Sequence, residues 1–193
     1  MARLIYSTLT SLDGYIEDST GAFQWAAPDE QVFAFINDLD RPLGLYLYGR
    51  RRYDIMTYWE SATMDPSQSE PERDYRQIWQ AAEKIVYSRT LKAPTTTRTR
   101  LERSFDPAAV SQLKQSSTSD LSIGGADLAG HAMAAGLVDE CQLFLAPIAV
   151  GGGKPALPLK VRQRLHLLDE HRFTAGMIFL RYAILPSAED STT

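Results

Sequence analysis

The feature that most constrains this chain is the alternation of short apolar runs with amphipathic stretches, closed by two consecutive apolar runs. Strand-like runs occur at residues 3–9, 44–48, 84–88, 99–104 (a weaker, polar one), 121–124 and 140–145. Helical patterns follow several of them. Val32, Phe33, Ile36 and Leu39 recur at helical spacing after Pro28, which suits a first helical turn. Other helices are expected from Arg50, over 72–81, from Pro107 to about Gln115, and from Gly125 to near Gly136. The last two strands begin near Leu165, turn at Ala175-Gly176 and end at Leu185. Strand–helix alternation calls for an α/β fold with a largely parallel sheet and helices on its faces, and the final pair adds an antiparallel hairpin. Residues 59–73 read as a long polar surface loop.

With 193 residues, the chain suits a single domain, here 1–186, with a polar tail over 187–193 expected to be disordered. Its net charge of −4 argues against general affinity for nucleic acid or anionic membrane, so an anion site must be local. The lone Cys141 excludes an internal disulfide and a multi-cysteine zinc site. No apolar run approaches a membrane span, and the N-terminus turns to strand too soon for a signal peptide, so the expectation is cytoplasmic.

In a parallel sheet, ligands bind beyond the carboxyl ends of the strands. Three such ends carry chemistry: Gly49-Arg50, Ser88-Arg89 and Gly124-Gly125. Arg50, Arg51 and Arg52 open a helix, where cations oppose the dipole unless an anion lies there. Either a phosphate reverses that sign, or side chains such as Arg51 fan into solvent. The pair Gly124-Gly125 leads straight into a helix through Ala126, Asp127 and Leu128. It serves either a tight turn alone or a phosphate held on the helix N-terminus. Two phosphate sites suggest a dinucleotide. Arginines, with no acid at the presumed ribose, suit the extra phosphate that distinguishes NADPH from NADH. Phe23, Trp25, Tyr53 and Trp59 form either an aromatic substrate pocket or ordinary core.

Ser11-Leu12-Asp13-Gly14-Tyr15, Tyr48-Gly49-Arg50-Arg51-Arg52-Tyr53, Val86-Tyr87-Ser88-Arg89 and Ile123-Gly124-Gly125, in this order and spacing, resemble the dihydrofolate reductase-like superfamily. The closer likeness, from Arg3 to Leu185, is to the reductase domain of bifunctional riboflavin-biosynthesis proteins and their small stand-alone bacterial relatives. That resemblance implies an eight-stranded, mostly parallel sheet with a C-terminal antiparallel hairpin, NADPH as hydride donor, and a homodimer joined through the sheet edge. It places Gly49, Arg50, Ser88 and Arg89 at the adenosine phosphate and Ile123 to Asp127 at the pyrophosphate. Thr8 and the loop Leu12–Ile16, with Tyr15, would border the nicotinamide and substrate. The riboflavin reductases carry a lysine where this chain has Tyr15, and no deaminase His-x-Glu or Cys-x-x-Cys segment is present.

The implied activity is hydride transfer to a small pterin-like, pyrimidine-like or conjugated molecule. A second reading is an NADPH-binding sensor or interaction protein without turnover. Asp13, Asp29 and Glu30 are the candidates for assisting proton transfer. An ungapped count from Pro28 favours Glu30 as the substrate-binding acid, whereas helical phase puts Asp29 on the inward face.

Overall fold

The computed structural model describes residues 1–61, 68–158 and 162–186. Its strands are β1 (Leu4–Ser11), β2 (Tyr15–Asp18), β3 (Leu45–Gly49), β4 (Glu83–Tyr87), β5 (Thr99–Glu102), β6 (Leu121–Gly124), β7 (Glu140–Ala146), β8 (Gly153–Pro155), β9 (Arg164–Arg172) and β10 (Ile178–Leu185). The helices are α1 (Glu30–Asp40), α2 (Arg50–Met56), α3 (Tyr58–Ser61), α4 (Glu70–Ala81), α5 (Pro107–Ser116) and α6 (Ala126–Ala134). Eight strands form one sheet in the order β5-β4-β3-β6-β1-β7-β10-β9. All neighbours up to β7 run parallel, and β10 pairs antiparallel with both β7 and β9. The α/β class, the parallel sheet and the antiparallel C-terminal hairpin are therefore as the sequence implies.

Side chains alternate across the strands and sort the core into two faces. Leu4, Tyr6, Leu47, Ile85, Leu121 and Ile123 point to one face, under Val110 of α5 and Leu128, Ala129, Ala132 and Met133 of α6. Ile5, Tyr46, Tyr48 and Val86 point to the other, where Tyr53 and Met56 of α2 and Tyr75 and Trp79 of α4 cover them. Val32 of α1 joins Phe144, Phe173 and Phe179 in a third cluster.

Several local expectations change. Pro28 does not enter α1: Asp29 is its N-cap, with extended backbone and a carboxylate that accepts from Val32 N at 2.9 Å. Asp29 is thus exposed at the helix entrance and not on the inward stripe. The stretch expected to be a loop over 59–73 contains α3 and the start of α4, which Ser69 and Glu72 close with a reciprocal capping box. The remainder of that loop, 62–67, lies outside the described residues, as does the tail 187–193. A two-stranded sheet of β2 and β8 was not foreseen. Its strands are so close that a Cβ on Gly153 would lie 2.0 Å from the Glu17 carbonyl oxygen, so only glycine fits there.

Candidate active site

Four adjacent parallel strands, β5, β4, β3 and β6, end on one side of the sheet, and a cleft of about 670 Å³ opens over them. The chain following each strand supplies a wall: Arg103 to Phe105 after β5, Ser88 and Arg89 after β4, Gly49 to Arg52 after β3, and Gly125 to Leu128 after β6. The three strand ends singled out in the sequence are therefore neighbours. Gly49, Arg50, Arg51, Ser88, Arg89, Gly125, Ala126, Asp127 and Leu128 line one space. Ile123 does not reach it, being fully buried in the core beneath.

The charge of this cleft opposes that of the whole chain. Arg50, Arg51, Arg52, Arg89, Arg103 and Lys154 face it, against the single acid Asp127. Some of these cations already have partners. Arg50 Nε lies 2.7 Å from Asp54 Oδ2 one turn on, and Lys154 Nζ lies 2.6 Å from Asp127 Oδ2. Arg51 is largely exposed and only 3.4 Å from Glu17. Arg103 donates to the Leu91 and Ser88 carbonyls, and the Ser88 hydroxyl accepts from Leu91 N at 3.0 Å, so both also shape the turn after β4.

The two glycines are required by the chain itself. Gly125 is the N-cap of α6 at φ +100°, where an L side chain is strained. At Gly124, an added Cβ would lie 2.9 Å from a Tyr48 ring carbon and 3.1 Å from Arg52 Cγ. Gly124 is buried and lines neither this cleft nor the one beside it, whereas Gly125 brings bare backbone to the cleft. The ligand argument rests on what surrounds it: a donor set of arginines and lysine, the α6 N-terminus and an aromatic end formed by Tyr87, Phe105 and His131. This set fits an anionic nucleotide such as NADPH.

A second cleft, of about 340 Å³, adjoins the first and shares Arg51, Arg52, Gly125, Ala126 and Lys154 with it. Its remaining wall is mostly apolar, with Leu9, Ile16, Phe23, Ala26, Pro28 and Ile55 joined by Thr8, Glu17 and Gln24. Thr8 thus lines this second cleft and not the basic one. A basic cleft leading into an apolar slot suits a charged cofactor tail followed by a flat ring.

None of the four substrate candidates Tyr15, Trp25, Tyr53 and Trp59 lines that slot. Tyr53 is buried, and its hydroxyl oxygen accepts from Thr95 N at 2.9 Å and Thr96 N at 3.2 Å. Trp59 packs edge-on against Phe33 and Tyr75. The Trp25 indole donates to the Ala22 carbonyl at 3.0 Å, and Tyr15 pairs with Pro155 between β2 and β8. Of the aromatic set, only Phe23 faces the slot.

The three candidate acids also lie outside both clefts. Asp13 accepts from Gly151 N at 2.7 Å and Val150 N at 3.1 Å. The Ser11 hydroxyl, then these amides, hold its carboxyl below the usual range. Asp29 caps α1, and Glu30 is exposed in its first turn. Arg103, Phe105, His131 and Lys154 were missed. The first two follow a strand end, a signal the sequence does carry; Lys154 follows three glycines with no strand pattern.

With the geometry in place, comparison with known proteins decides the family. The sequence profile of the RibD C-terminal domain matches residues 2–179. The chain belongs to the RibD C-terminal domain family. It is 29% identical over 185 residues to the uncharacterized protein YyaP of Bacillus subtilis (strain 168), covering 93% of this chain and 94% of that one. Among solved RibD-like structures it is similar to a protein of Shewanella sp. PV-4 provisionally named for riboflavin biosynthesis. The two share 20% identity and a TM-score of 0.74, over 96% of this chain and 100% of the other. It is also similar to a pyrimidine reductase-like protein of Corynebacterium diphtheriae, with 16% identity and a TM-score of 0.69 over 96% and 93% of the two chains. At these identities the structural likeness concerns the fold. No helix among the described residues is long and apolar enough to cross a membrane.

Proposed function

We propose that this RibD C-terminal domain protein is an NADPH-dependent reductase that transfers a hydride to a small pyrimidine-like, pterin-like or conjugated molecule in the cytoplasm. The observation that carries the reading is the joined pair of clefts. Six cationic side chains stand over four parallel strand ends, and the space continues past Arg52 and Gly125 into an apolar slot. Family membership supports a reductase, and one similar structure is described as pyrimidine reductase-like. Arg50 and Arg89 would hold the adenosine phosphate, with Gly125 and the α6 N-terminus beside the pyrophosphate. Thr8, Ile16 and Phe23 would border the ring that donates hydride and the substrate that receives it. The test is loss of NADPH absorbance on incubation with a panel of pterins, pyrimidines and quinones. Oxidation dependent on one panel member supports the reductase. NADPH binding with no oxidation across the panel favours the sensor reading.

We also propose a homodimer. The apolar run Met177-Ile178-Phe179-Leu180 is not on the edge, because β10 is sandwiched between β7 and β9, with Met177 and Phe179 buried. The edge is β9, exposed along its whole length, and it presents Leu165, Leu167 and Leu168. An unpaired edge with this much apolar surface suits a second copy of the chain.

A further inference from the structure

The sheet is thin-walled beneath α1. Ser122 and Gly124 of β6 face Tyr46 and Tyr48 of β3, and Ser7 of β1 lies on the other side. These small residues leave a cavity of about 50 Å³ between sheet and helix. At roughly 10–15 Å³ each, it has room for a few water molecules, and its hydroxyl and carboxyl lining gives them partners. The cavity shares Ser7, Thr8, Leu9 and Arg52 with the apolar slot, so it meets the slot at the reacting end. Its other end is Asp40.

Asp40 is the last residue of α1 and is buried. Tyr46 of β3 donates to Oδ2 at 3.2 Å, Tyr75 of α4 and Tyr48 of β3 lie close by, and Arg52 of α2 acts on it from the cleft side. Two effects disfavour its charge: removal from water and the negative end of the helix. Burial, only partly offset by the Tyr46 hydrogen bond, Arg52 and Tyr75, raises its pKa from 3.8 to about 6. Asp40 can therefore hold a proton close to neutrality, unlike an ordinary surface acid.

We propose that Asp40 is the proton reservoir of the reductase site and feeds the cleft through water held in this cavity. The proposal rests on the reductase reading above. When bound, the reduced nicotinamide supplies the hydride. The C=N or C=C bond that accepts it leaves an electron pair on the partner atom, and that atom needs one proton. Water at the Thr8 and Arg52 end gives that proton and is replenished along the cavity from the Asp40 carboxyl. The resulting carboxylate accepts from the Tyr46 phenol until solvent reprotonates it after product leaves. Glu17 is the acid on the slot wall itself, but its carboxylate is turned to Arg51.

The experiment compares wild type, Asp40→Asn, Ser122→Val and Glu17→Gln. It measures NADPH affinity, the single-turnover rate of NADPH oxidation against pH, and the Asp40 carboxyl titration by carbon-detected NMR in the unliganded protein. The expected wild type shows Asp40 titrating near pH 6 and a rate that falls as pH rises through that value. Asp40→Asn should bind NADPH unchanged, lose on the order of a hundredfold in rate and lose that pH dependence. Ser122→Val should displace the cavity water and slow the reaction while Asp40 still titrates near pH 6. Glu17→Gln should keep the pH profile. An ordinary Asp40 titration, or an Asp40→Asn protein with the wild-type rate and profile, overturns the proposal alone. A wild type that binds NADPH but oxidises it with no acceptor overturns the reductase reading and the proposal with it.

Discussion

Asp40→Asn should change how stability depends on pH. Asparagine keeps the side-chain volume and can still accept from the Tyr46 hydroxyl, so the packing around α1 is retained. What disappears is the titration. The Asp40 pKa is raised from 3.8 to about 6 on folding, and each unit is worth about 1.36 kcal/mol. The gap therefore amounts to about 3 kcal/mol, undiminished by solvent screening at 9% exposure. Because the folded pKa lies above the unfolded one, this stabilisation is fully present below about pH 4. It is lost as pH rises through about 6. Urea unfolding of both proteins at intervals from about pH 4 to about pH 7 isolates the effect, since every other titrating group is common to the pair. Wild type should lose about 3 kcal/mol relative to Asp40→Asn across that range, a large share of a typical folding free energy. Two stability curves that run parallel with pH would refute the assignment of a proton to buried Asp40.

Tyr53→Phe removes the acceptor of two backbone N–H groups; water can replace it at exposed Thr95 but not at buried Thr96, so urea unfolding should show a loss of about 1–3 kcal/mol. NADPH affinity should stay within about twofold by calorimetry, because the hydroxyl faces no cleft. Leu167→Lys places a charge on the β9 edge and should convert a dimer to a monomer in light scattering at micromolar concentration; a wild type that is already monomeric would contradict the dimer.

Most of the scaffold can be read from the sequence because its signals are local. Short apolar runs, covered on both faces, mark β1, β3 and β4, and the Gly124-Gly125 turn marks the passage into α6. The parts that escape reading depend on distant partners. β2 and β8 are short segments, of four and three residues, that become strands only by pairing with each other. Pro28 suggests a helix start two residues too early because the stronger local device is the Asp29 carboxylate, which satisfies the Val32 N–H and starts the helix at Glu30. The arginine-rich side of the site was legible because strand ends can be counted. The slot was legible only in part: Thr8 and Ile16 came through the resemblance and Phe23 as one of the aromatics, whereas Leu9, Pro28 and Ile55 carry no motif and meet them only in three dimensions. Asp40 did leave a trace. An acid closing a helix sits at the wrong end of the dipole, which is the mirror of the argument applied to Arg50, Arg51 and Arg52.

In the proposed function, the cleft over β5, β4, β3 and β6 holds the phosphorylated adenosine end of NADPH. Calorimetric titration of NADPH and NADH into wild type and Arg89→Ala tests it directly. Arg89 is exposed at the cleft after β4, and one charge-assisted hydrogen bond is worth roughly 1.5–3 kcal/mol. The predicted result is tighter binding of NADPH than NADH by the wild type. Arg89→Ala should then lose on the order of tenfold to a hundredfold for NADPH, with little change for NADH. Equal affinity of the wild type for the two cofactors, or equal losses for both in the variant, would remove the adenosine phosphate from this cleft.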